Sequence, residues 1–128
     1  MRILKLWLPV LIWAGIIFWL SNIPNLKTDL ACDFILRKAA HVVEYAVLCF
    51  LLRRAFKGSF KMGDLPLFLY PAILSFFYAV SDEFHQSFIP GRNGSFRDVL
   101  IDTVGIIGFY IVLKVYQALL KKGPSAGP

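Results

Sequence analysis

Charge is scarce in this chain. Only 17% of its 128 residues are Asp, Glu, Lys or Arg and 58% are hydrophobic, whereas an ordinary soluble domain is roughly 25% charged. A domain of this length lacks the interior to hide so much apolar surface from water, so the expected solvent is a bilayer. Cysteine is nearly absent. Cys32 and Cys49 are the only two, and helical rise over the intervening chain separates them by about 25 Å, too far for a disulfide or a shared ligand site. A tight metal signature such as HExxH is lacking, and so is any internal repeat. Basic residues outnumber acids by 14 to 8, but they lie between apolar runs and form no single basic face, which argues against nucleic acid as a partner.

What is present is four apolar runs, 3–20, 39–52, 65–80 and 99–115. A membrane-spanning helix takes about 20 residues, a length each run reaches once the polar residues at its ends are counted, as they are where such residues face a wet cavity or snorkel. The first run is long and is followed by SNIPN, with no small-residue cleavage site, so it reads as a retained span and not a signal peptide. The breaks at 21–25, 57–64 and 88–95 contain the Asn, Pro and Gly that end helices and make turns. Ser95 reads as the N-cap of the fourth helix, with Asp98 at its third position, a capping-box-like start. The expected fold is all-α: an integral membrane bundle of four transmembrane helices over 1–122, followed by 123–128, a flexible tail or a cloning scar.

Lys and Arg set the expected orientation. The ends carrying Arg2, Lys5, Arg53, Arg54, Lys57, Lys61, Lys114, Lys121 and Lys122 hold one acid, Asp64, whereas the opposite ends hold five basic residues and seven acids. Both termini and the loop between helices 2 and 3 are therefore expected on the cytoplasmic side, with the acidic end facing out. That end gathers polar stripes at helical spacing: Lys38, His41 and Glu44 or Tyr45; Ser75, Tyr78, Asp82 and Gln86 or His85; Asp98, Asp102 and Gly105. Facing lipid, each stripe would be costly; facing one another, the three form a partly hydrated pocket. Gly105 and Gly108 are expected to admit a neighbouring backbone. Glu83 points about 100° from Asp82 on a helix and is expected toward the headgroups. Trp7, Trp13 and Trp19 share no stripe and read as packing or lipid-facing residues.

The chemistry these residue types support is acid–base work beside an anion. His41 with Glu44 makes a base and its orienter, and Asp82, His85 and Asp102 supply further acid, base or ligand groups. Arg92 either clamps an anion in two-point fashion near the positive end of helix 4 or clamps Asp82 or Asp98 and holds the loop. Lys38, Tyr45, Glu83, Gln86 and Asp98 complete the binding surface. No cofactor is expected; a divalent metal held by histidine and carboxylates is the alternative. Helix 1 has no ionisable residue beyond Lys5 and helix 3 none between Asp64 and Asp82, which argues against a proton relay across the membrane.

The patterns RKxxHxxEY, from Arg37, and SDEFHQxFxPGRxGSxxDxxxDxxG, from Ser81, together resemble the VanZ-like family of bacterial membrane proteins. The matching positions are Arg37, Lys38, His41, Glu44 and Tyr45, then Asp82, Glu83, His85, Gln86, Pro90, Gly91, Arg92, Asp98, Asp102 and Gly105. The resemblance runs from helix 1 to helix 4 and implies a small bundle of spanning helices linked to teicoplanin resistance. It bears on fold and location more than on a reaction. Two functions stand. One is an envelope enzyme that acts by hydrolysis or group transfer on an anionic lipid or lipid-linked cell-wall precursor. The other is a binding module that holds a lipid, precursor or lipoglycopeptide and alters antibiotic access. The oligomeric state is left open.

Overall fold

A computed structural model of the chain describes residues 1–24, 33–92 and 94–121. Cys32 and the 123–128 tail lie outside the described residues, as do Lys27 and Asp29. The described residues fold into four helices and no strand: α1 Arg2–Ser21, α2 Asp33–Ser59, α3 Asp64–Gln86 and α4 Phe96–Lys121. Each helix outgrows its apolar run. The polar DEFHQ segment stays helical to the end of α3, and α2 extends beyond its run in both directions.

The shortest helix, α1, has 20 residues, which at about 1.5 Å per residue matches the hydrocarbon thickness. By length and composition α1, α3 and α4 are able to cross a membrane; α2 falls short on composition. The reason lies in packing. The α2 helix contacts α1, α3 and α4, so neighbouring helices take up much of the surface that lipid would otherwise meet. Its Tyr45, Leu48, Cys49, Leu52 and Ala55 form the centre of the core. The outer helices are built the other way round. Leu11, Phe18, Phe77, Val104 and Ile111 are exposed, while Ser75, Asp82, Glu83, Gln86 and Asp102 are buried. Soluble domains do the reverse, and an apolar exterior over a polar interior is what lipid demands.

Polar ring atoms tie the helices together. Trp7 Nε1 donates to Ser59 Oγ at 3.0 Å, and Trp13 Nε1 donates to the Glu44 carbonyl at 2.9 Å. Tyr78 and Tyr110 donate their hydroxyls to the carbonyls of Ala14 and Phe68, both at 2.7 Å. Trp7 and Trp13 are thus α1–α2 ties, and Trp19 faces outward. Trp13→Phe keeps most of the ring and deletes the bond. Its expected cost is about 1 kcal/mol, read as a lower thermal midpoint in detergent; an unchanged midpoint would discount the tie.

The two glycines of α4 part ways. A Cβ on Gly105 would lie 2.1 Å from the Val42 carbonyl oxygen, whereas one on Gly108 would meet nothing within 4 Å. The α2 and α4 backbones therefore touch at Gly105 alone of the two. A three-residue step rotates about 60° off the contact line, which carries Gly108 out of it.

Candidate functional site

The start of α2, the end of α3 and the start of α4 meet at one end of the bundle, as their polar stripes anticipate. The α2–α4 seam is a series of rungs. Lys38 forms an ion pair with Asp98. One turn deeper, His41 Nδ1 lies 3.0 Å from Asp102 Oδ1, and Asp102 is wholly buried. Below them, Gly105 rests on the Val42 carbonyl. Helical spacing brings Lys38 and His41, and likewise Asp98 and Asp102, onto one line.

At the end of α3, Gln86 is the hub. Its Nε2 donates to Asp82 Oδ2 at 2.8 Å and to Ser21 Oγ at 3.2 Å, and its Oε1 accepts from Arg92 Nη1 at 3.0 Å. Arg92 also donates from Nη2 to the Leu20 carbonyl at 2.7 Å and from Nε to the Ile23 carbonyl at 3.1 Å. It fastens the α3–α4 turn, where Gly91 has φ 78, onto carbonyls at and just past the end of α1. Neither Asp82 nor Asp98 is its partner. Burial lowers the Arg92 pKa, and the nearby carboxylates of Asp82, Glu44 and Glu83 oppose that shift.

Glu83 departs from its expected place. It is buried, and its Oε2 accepts the Ser95 backbone N–H at 2.9 Å. Ser95 Oγ accepts the Asp98 N–H at 3.3 Å, as an N-cap should. The reciprocal half of the capping box comes from Glu83, across the turn, because the Asp98 carboxylate is engaged by Lys38. Angular position on an isolated helix could not reveal this, since Gly94 and Ser95 come back against α3 at Glu83. Gly94 permits the approach: a Cβ there would lie 2.1 Å from the Glu83 carbonyl oxygen.

A cavity of about 160 Å³ opens beside His41, lined also by Ser21, Arg37, Glu44 and Arg92. Asp102 stands behind His41, and Tyr45 is fully buried with its hydroxyl lacking a protein partner. His85 is not part of this group. Its Nε2 lies 3.0 Å from Asn22 Oδ1 and its ring stacks on Phe18 of α1. Ser21 and Arg37 are the polar lining residues that sequence reasoning did not single out for the site, and Leu20 and Ala40 the apolar ones. Arg37 was in view as the first residue of RKxxHxxEY, while Ser21 sits on a helix otherwise bare of chemistry. A larger groove of about 420 Å³ between α3 and α4 is walled by Phe68, Ile73, Phe77, Ile107 and Ile111, the makeup of a lipid-facing surface.

An imidazole fixed through Nδ1 by a buried carboxylate has Nε2 left to exchange a proton. Two guanidinium groups on the same cavity suit an anion. His41, Glu83 and Asp102 also bring three metal-ligating atoms within 4.8 Å of one another.

A family model described as VanZ/LLP1 matches residues 6–117. No curated protein and no solved structure matches the chain. The matched span takes in most of each of the four helices and every residue named at this end of the bundle. The chain belongs to the VanZ/LLP1 family.

Proposed function

We propose that this protein crosses the bacterial cytoplasmic membrane four times, α2 included, with the polar end of the bundle outside. There it acts on an anionic lipid or lipid-linked cell-wall precursor by hydrolysis or group transfer. The observation that carries the reading is the His41–Asp102 pair opening onto a small cavity that also presents Glu44, Arg37 and Arg92. His41 and Glu44 exchange protons, Asp102 orients His41, and the arginines hold the anionic headgroup. Size supports a headgroup: about 160 Å³ is the room of a few waters at about 30 Å³ each, enough for a phosphate. The orientation is supported by Arg2, Lys5, Arg53, Arg54 and Lys57, which cluster at the opposite end.

The test is native mass spectrometry of protein extracted gently with its own lipids, beside a His41→Gln, Asp82→Asn double variant. A defined lipid or precursor that accumulates on the variant is the expected result. The same species on both in equal amount would replace the enzyme with a binding module that alters antibiotic access. No specific lipid on either would sink both readings.

A further inference from the structure

Three carboxylates are buried at this end of the bundle with half of their bonding capacity unused. Asp82, Glu83 and Asp102 are 4%, 4% and 0% exposed. Each has one satisfied oxygen: Asp82 Oδ2 accepts from Gln86, Glu83 Oε2 from the Ser95 N–H, and Asp102 Oδ1 pairs with His41. The other oxygen of each, Asp82 Oδ1, Glu83 Oε1 and Asp102 Oδ2, is buried without a protein partner. Among the described residues, none of the three pairs with a lysine or arginine. The Lys38 ammonium is on Asp98, and the Arg92 guanidinium is on two carbonyls and a neutral amide. Buried carboxylates are normally fully hydrogen-bonded and charge-compensated. Two of the three, Glu83 and Asp102, stand beside the His41 imidazole, so buried oxygen donors with spare bonding capacity converge on one ring nitrogen.

We propose that His41, Glu83 and Asp102 bind a divalent transition-metal cation. Their donor atoms already lie within 4.8 Å of one another, with the His41–Asp102 pair at 3.0 Å. Two donors each about 2.1 Å from one ion stand about 3.0 Å apart at right angles and about 3.4 Å apart at the tetrahedral angle, so this pair is already near ligating separation and Glu83 has to draw in toward it. The ligands come from three helices, α2, α3 and α4, so the ion would also close the bundle at this end. One imidazole with two carboxylates is a mixed donor set that suits zinc or manganese better than the all-oxygen ions calcium and magnesium. Three protein ligands leave a coordination position open to water, which a bound cation acidifies. The site itself rests on side-chain geometry; only its catalytic use rests on the reaction proposed above. With the ion bound, His41 is a ligand, and Glu44 on the same cavity is the base.

The test uses the full chain in mild detergent, free of any affinity tag and stripped with EDTA. Zn²⁺ or Mn²⁺ is titrated alone, with uptake read by elemental mass spectrometry and by the thermal midpoint. The expected result is saturable uptake near one ion per chain and a raised midpoint, with binding weakened about 100-fold or more in Glu83→Gln and Asp102→Asn. His85→Gln binds like the parent. That variant also supplies a test that does not depend on the folding of the others. The chain has two histidines, so in the Mn²⁺ form of His85→Gln the imidazole nitrogen coupling expected in the spin-echo spectrum arises from His41. No uptake by the parent, equal uptake by Glu83→Gln and Asp102→Asn, or a Mn²⁺ spectrum without nitrogen coupling would each overturn the proposal. Turnover by metal-free protein would sink the cation and leave the reaction; loaded protein with no turnover would sink the reaction and leave the cation.

Discussion

Asp102→Asn is expected to reduce turnover of the co-purifying lipid by about 10² to 10⁴-fold, the range seen when an acid–base pair loses its orienting carboxylate. Asp102 is the most buried acid of the site and the partner of His41 Nδ1. As an orienter it selects the imidazole tautomer that leaves Nε2 able to take a proton; an amide in its place selects no single tautomer. As a cation ligand it donates an anionic oxygen that an amide replaces poorly. Either role predicts the same loss. The fold should survive. The substitution keeps the side-chain shape and removes a charge from a fully buried position, which offsets the weaker hydrogen bond. Conversion of the bound lipid, followed by mass spectrometry beside the thermal midpoint, separates the two effects. A collapsed turnover with a steady midpoint is the expected pair of results. Full turnover in the variant would remove Asp102 from the chemistry, and a collapsed midpoint would make it a structural residue instead.

The parts of this architecture that were legible in sequence are those that depend on spacing along one helix. Lys38 and His41, Asp98 and Asp102, and Asp82 and Gln86 recur at three- and four-residue intervals, and the stripes do converge at one end of the bundle. The Ser95 cap was legible for the same reason, because a cap is local. What was not legible depends on a partner that the chain brings back from far away. Glu83 read as headgroup-facing because nothing in its own helix announces that the chain will come back against it and offer the Ser95 N–H. A clamp of Arg92 on Asp82 or Asp98 is not what forms; its partners at the end of α1, Leu20 and Ile23, are some seventy positions away. His85 shares a helix end with Asp82 yet turns to Asn22. The low hydropathy of α2 has the same origin, since α2 packs more extensively against its neighbours than any other helix and owes less of its surface to lipid.

Gly105→Ala should be far more damaging than Gly108→Ala, its matched control in the same helix. In α4 the added Cβ at Gly105 would stand 2.1 Å from the Val42 carbonyl oxygen, with the Val42 carbonyl carbon and Cα at 3.0 and 3.1 Å. These are backbone atoms inside α2, and no rotamer change relieves the clash. Relief requires α4 to move away from α2 along the seam that carries the His41–Asp102 and Lys38–Asp98 rungs. Overpacking against movable side chains costs about 1–3 kcal/mol, so a rigid backbone contact should cost about 3 kcal/mol or more. At Gly108 nothing lies within 4 Å, and helix propensity favours alanine by up to about 1 kcal/mol, so its midpoint should hold or rise. The measurement is the thermal midpoint of each variant in detergent, followed by size-exclusion chromatography. Equal midpoints would mean that the α2–α4 contact is not as close as drawn, and the geometry of the His41–Asp102 pair, set one turn away on the same seam, would fall with it.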